Sequence, residues 1–145
     1  MHTAAAAPRL LYSVPSLGFD ESNGPPTFVF VTHQLTLEKF PYSFPEETGF
    51  FISNGWLGSP GVYQQRIELY KPSGELLVES GQRPLELIRE NIPYMAVTFF
   101  MGVTFEAPGE HTIVVSVDGD HRVSYPFHVV GVPNQDEEAL DGYPE

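Results

Sequence analysis

Apolar and polar positions alternate with a period of two over much of this chain, most regularly over 112–117 and 122–130. In the first stretch Ile113, Val115 and Val117 alternate with Thr112 and Ser116; in the second Val123, Tyr125, Phe127 and Val129 alternate with Arg122, Ser124 and His128. Such alternation puts one set on each face of a strand, and Asp118-Gly119-Asp120 between them is turn chemistry, so the pair predicts a hairpin. Both apolar sets are odd-numbered. Directly opposed residues share a face, so odd must pair with odd, and that calls for an odd-length loop rather than a two-residue turn. Val117, Asp118 and Gly119 supply it as a type I turn followed by a bulge, with Gly119 at positive φ. This register sets His121 against Val115 and His111 against Tyr125.

The same pattern, followed from the start, predicts a first strand over 9–14 and a loop over 18–26, where Gly18, Pro25 and Pro26 gather with Asp20, Glu21 and Asn23. Over 28–37 the odd residues Val29, Val31, His33, Leu35 and Leu37 form one face, which turns His33 inward. A histidine there is ordinarily neutral and held by a hydrogen bond. Pro41 and Pro45 within 40–45 break any ladder, since neither can donate a backbone hydrogen bond. A short strand over 50–53 leads to a loop over 54–61 that holds Trp56. Together with Tyr42 and Phe44 this forms an aromatic zone, read first as a cap on the core and otherwise as a recognition surface. The alternation over 63–69, the turn Lys71-Pro72-Ser73-Gly74 and the return over 75–79 predict a second hairpin. Extended structure is expected over 83–91, although Pro84 and Glu86 would also suit a helical turn. In 95–105 every odd residue from Met95 to Phe105 is apolar, making this the clearest core strand, with Tyr94, Ala96 and Phe100 on its outer face.

Composition narrows the classes. The chain has 145 residues, hydrophobic content of 41% and 13% aromatics, enough to fold as one domain without staples. Residues 1–8 are expected to be a flexible N-terminus, 9–131 the domain, and 132–145 an acidic, mobile tail. Cysteine is absent, which removes disulfides, thiolate metal sites and cysteine nucleophiles together. A formal charge of −12 repels phosphate backbones, so nucleic acid is not an expected partner. The N-terminal alanines lack a basic residue before them, and 95–105 is too short to span a bilayer as a helix. The reading is a soluble, cytoplasmic protein without membrane contact.

The run Phe105-Glu106-Ala107-Pro108-Gly109-Glu110-His111-Thr112-Ile113-Val114-Val115-Ser116-Val117-Asp118-Gly119 resembles the last strands of immunoglobulin-like and fibronectin-like sandwiches, with His111 where that pattern often has tyrosine. Residues 9–131 as a whole resemble an uncharacterised bacterial family of small single-domain immunoglobulin-like proteins. The strand pattern predicts an all-β fold, an antiparallel β-sandwich of about seven to nine strands, and the resemblance of the 105–119 run implies that this sandwich is immunoglobulin- or fibronectin-like. The family resemblance implies the same fold and brings no activity or site residues with it.

Candidate chemistry is sparse. His2, His33, His111, His121 and His128 lack the close spacing of zinc ligands, and no metal or cofactor is expected. Asp118-Gly119-Asp120 shares only its composition with a calcium loop. No Gly-x-Ser-x-Gly elbow or phosphate-cradling loop occurs. The leading expectation is therefore a non-enzymatic interaction module that binds protein partners or self-associates, with Tyr42, Phe44, Trp56, Tyr94 and Phe100 as its candidate surface. A carbohydrate-binding module using Tyr42, Phe44 and Trp56 is one alternative, and an enzyme with a pocket near His33 is another.

Overall fold

The parity of the apolar residues decides which way each strand faces, and two sheets result, with one core between them. The computed structural model describes residues 7–20 and 27–132. The described residues form twelve strands: β1 (Arg9–Asp20), β2 (Thr27–Val31), β3 (Gln34–Leu37), β4 (Tyr42–Ser43), β5 (Gly49–Leu57), β6 (Gly61–Tyr70), β7 (Leu76–Glu79), β8 (Arg83–Leu87), β9 (Tyr94–Met101), β10 (Thr104–Phe105), β11 (Gly109–Val117) and β12 (Asp120–Gly131). There is no helix among them. The first sheet runs β2-β1-β5-β9 and the second β3-β12-β11-β6-β7, with β8 also on β6; β4 and β10 make a separate pair. Strand β3 lies parallel to β12, so the second sheet is mixed rather than purely antiparallel.

Even-numbered Phe50, Ile52 and Trp56 of β5 meet odd-numbered Ile67, Leu69, Ile113, Val115, Phe127 and Val129 of the second sheet, and all are fully buried. Phe50 joins the layers most directly, stacked on Phe127 at 5.6 Å and on Phe100 at 5.4 Å between ring centroids. Polar bonds tie the layers as well. Gln65 of β6 accepts from Asn54 Nδ2 at 3.0 Å and Trp56 Nε1 at 2.7 Å, and Ser13 bonds the Tyr125 hydroxyl at 2.8 Å. Buried donors must be satisfied, so the Gln65 carbonyl fixes where β5 sits over β6.

Twelve strands stand in place of the seven to nine expected, β1 runs on to Asp20 into the loop expected over 18–26, and three further expectations change here. The last hairpin does pair odd with odd over most of its length, Val115 with Val123 and Ile113 with Tyr125, but the odd residue is not in the loop. Val117 pairs with Asp120 across a two-residue turn, with Asp118 at φ 51° and Gly119 at φ 82°, and a bulge opposite Val115 and Ser116 corrects the parity. His111 therefore faces Phe127 and His121 faces Ser116. The single strand expected over 28–37 is two strands in different sheets. The chain crosses from one layer to the other at Thr32 and His33, leaving His33 exposed in the bend while Leu35 and Leu37 remain inward. The expected loop over 54–61 is largely strand, because β5 continues to Leu57 and seats Trp56 in the core. The second hairpin forms as expected; the extended segment expected over 83–91 is strand only over Arg83–Leu87 and turns at residues 90 and 91, whereas the tail beyond Val132 lies outside the described residues.

Candidate interaction surface

Strand β9 faces opposite to its expected direction. Its register with β5 sets Phe100 on Phe50, Thr98 on Ile52 and Ala96 on Asn54. Opposed residues share a face, and the even face of β5 is the core face, so β9 must turn its even residues inward. Phe100 is 4% exposed, a core residue rather than part of an outer surface. The odd residues point outward: Val97 is 37%, Phe99 40% and Met101 57% exposed, with Met95 half-buried. The alternation then breaks at Gly102, whose φ of 69° suits glycine, and Val103 and Phe105 return to the core. Phe99 lies over Phe51 of β5 at 4.6 Å, so the outward row has a second apolar residue beside it.

This row sits at the end of its sheet, where among the described residues β9 pairs with β5 alone. The side of β9 away from β5 carries no strand pairing among the described residues, and such an edge is the usual template for adding a strand. No residue from Tyr94 to Met101 is charged and none is proline.

The other residues proposed from the sequence are placed differently. Trp56 is fully buried and bonded to Gln65, which takes it out of any exposed platform. Tyr42 and Phe44 are half-buried, packed edge to face at 84°, and Phe44 leans on Phe50 and Phe105. They cap one end of the core. Tyr94 is 44% exposed at the start of β9, above a groove of about 370 Å³ between β9 and β8 whose walls include Gln65, Arg83 and Thr98. His33 lies in the exposed bend between β2 and β3.

A second concavity, of about 290 Å³, lies between Pro72, Leu77 and Pro108. Lys71 at its rim bonds Glu106 at 3.2 Å and lies 3.8 Å from Glu75. His111 on its wall donates from Nδ1 to the Gly109 carbonyl at 3.1 Å and meets the Phe105 ring edge-on at 5.2 Å. Burial lowers its pKa below the usual 6.5 against the opposing effect of the Gly109 bond, so the imidazole is neutral at pH 7. Among the described residues no group of three or more His, Asp or Glu is placed to hold a metal ion.

Residues 19–130 match the sequence pattern of a family of unknown function, DUF6941. The chain belongs to this family. No curated protein matches it. The match takes in β2 to β11 and all but the last residue of β12, so the whole of β9 and both strands of the final hairpin are part of the DUF6941 pattern.

Two features of the DUF6941 chain escape a reading by periodicity alone. The outward row of β9 does so because both of its faces are largely apolar, and the choice between them depends on which residues β5 opposes. Trp56 carries the signal that could have decided it, since an extended β5 places Phe50, Ile52 and Trp56 on one face and Phe100 opposite the first of them. Gln65 shares parity with Ile67 and Leu69, and a polar side chain at an inward position signals a buried hydrogen-bond acceptor.

Proposed function

We propose that this DUF6941 chain is a non-enzymatic interaction module on an immunoglobulin-like sandwich, which binds protein through the outward face and free edge of β9. The carrying observation is the uncharged, eight-residue β9 with Val97, Phe99 and Met101 exposed in a chain of net charge −12. Exposed apolar rows at an open sheet edge are what strand-adding partners use: backbone bonds supply affinity, and alternate side chains supply selectivity.

The immunoglobulin-like reading draws support from strand order. The run β12-β11-β6-β7 follows the order G-F-C-C′ of variable-type domains, and adjacent β5 and β9 correspond to B and E. His111 at the start of β11 bonds backward to Gly109, which is the service a corner tyrosine renders in that fold. The sugar-binding alternative loses support from the burial of Trp56 and from the perpendicular Tyr42 and Phe44 rings, which offer no coplanar platform.

Panning a displayed library of extended peptides against the full chain tests the reading. Selected peptides should bind the wild type and the Val62→Lys control, whose exposed side chain lies on β6, and should lose binding to a Val97→Lys/Met101→Lys chain. Equal binding to the doubly substituted chain would reject β9 as the surface.

A further inference from the structure

Resting on that reading of β9, we propose that its partner is the β9 of a second copy, paired antiparallel about a two-fold axis that passes perpendicular to the sheet at Thr98. The first support is a comparison of edges. Strand β3 has four residues and is followed by Glu38 and Lys39; β7 has four and ends in Glu79; β8 contains Arg83, Pro84 and Glu86. Strand β2 has five residues and carries Phe30 at φ 57°. Shortness, charge, proline and local distortion are the devices that keep edges from pairing. Strand β9, at eight residues, has none of them. In the A-B-E-D sheet of immunoglobulin-like domains a further strand lies beyond E, and among the described residues that place beside β9 is open.

Symmetry then selects the register. A two-fold axis perpendicular to the sheet keeps the outward faces of both copies on the same side, so opposed residues must share parity. With the axis at Thr98, Met95 faces Met101 of the second copy and Val97 faces its Phe99, so every outward apolar residue of β9 finds an apolar counterpart. Thr98 meets its own copy, a pair whose hydroxyls can bond across the strands. An axis at Val97 would instead set Met101 against Pro93, which has no backbone donor.

Charge and area set the strength. Residues 95–101 carry no charge, so the paired strands themselves contain no like-charged pair; Arg83, in the groove wall beside Thr98, is the charged side chain that flanks them. Paired strands of this length run about 24 Å. They would bury on the order of 800–1,000 Å² in total, below the roughly 1,200 Å² at which stable interfaces begin, so the dimer is weak and reversible, and added salt strengthens it by screening the repulsion between the two acidic chains.

The absence of cysteine makes the test clean, because a single introduced thiol reports alone. Under mild oxidation Thr98→Cys should form a disulfide-linked dimer at least about tenfold faster than Val62→Cys at equal concentration, since opposed side chains on paired strands lie near disulfide distance. Sedimentation equilibrium of the unmodified full chain should show a monomer–dimer equilibrium that tightens with salt, and Val97→Lys/Met101→Lys should weaken it at least about tenfold. Those lysines reduce the net negative charge, so general repulsion predicts the opposite change. Equal cross-linking of the two cysteine variants, or a monomer at all concentrations and salts, overturns the β9 dimer. If library peptides still require Val97 and Met101 in that case, the interaction reading stands with a different partner; if they do not, both fall.

Discussion

Replacing Gln65 with leucine tests the polar bond that sets one sheet over the other. Its carbonyl accepts from Asn54 Nδ2 and Trp56 Nε1, and all three side chains are almost wholly buried. Asn54 Oδ1 already has no hydrogen-bond partner, so losing Gln65 leaves that side chain without a bond at either end. Each orphaned buried donor costs about 1–3 kcal/mol, and the leucine returns roughly 1 kcal/mol through apolar burial. The net expectation is a loss of about 3 kcal/mol, a large share of a typical domain's stability. For a chain of this size that lowers the thermal midpoint by roughly 6–12 °C. Trp56 is the sole tryptophan, so its fluorescence follows the same transition. Replacing all three residues with apolar ones, Gln65→Leu, Asn54→Leu and Trp56→Phe, removes the orphaned donors and should cost less than the sum of the single changes. A Gln65→Leu chain that melts within about 1 °C of wild type would refute the role assigned to this carbonyl.

Phe100→Ala should cost about 3–5 kcal/mol in urea unfolding whereas Met101→Ala should cost less than about 0.5, a contrast that reverses if β9 faces the other way. Gly119→Val places a β-branched residue at φ 82°, where nothing lies within 4 Å of an added Cβ, so backbone strain alone should destabilise by more than about 1 kcal/mol; an unchanged midpoint would deny that turn. His111 has a folded pKa below 6.5, so the unfolded chain takes up its proton first, and stability present above pH 6.5 is lost as the pH falls toward the folded value. Urea midpoints at pH 7.5 and 5.5 should show a smaller drop in His111→Phe than in wild type, and equal drops would remove the histidine from the account.

Local alternation was enough to read the all-β class, the β6–β7 hairpin, the extended β8 and the odd-with-odd pairing of β11 and β12. Those features depend on neighbours in the chain. What alternation could not supply was the choice of sheet. His33 shares parity with Leu35 and Leu37, yet it marks the point where the chain leaves one layer for the other, and parity carries no record of such a crossing. The hairpin parity was satisfied by a bulge rather than by loop length, two devices that alternation alone does not separate. For β9 both faces were rich in apolar residues, so its direction followed from distant β5, and this turned Phe100 inward and exposed Val97, Phe99 and Met101. Of the residues first named as a surface, Tyr94 is exposed, Tyr42 and Phe44 are half-buried, and Trp56 and Phe100 belong to the core.

Hydrogen exchange along β9, measured residue by residue at low and high protein concentration, tests the open edge most directly. In dilute solution the amides of β9 that point away from β5 should exchange faster than those bonded to it, and at high concentration that fast set alone should gain protection. Edge amides of β7 and β8 should not change with concentration. Amides along β9 that are uniformly protected when dilute, or that stay equally fast at every concentration, would contradict the account.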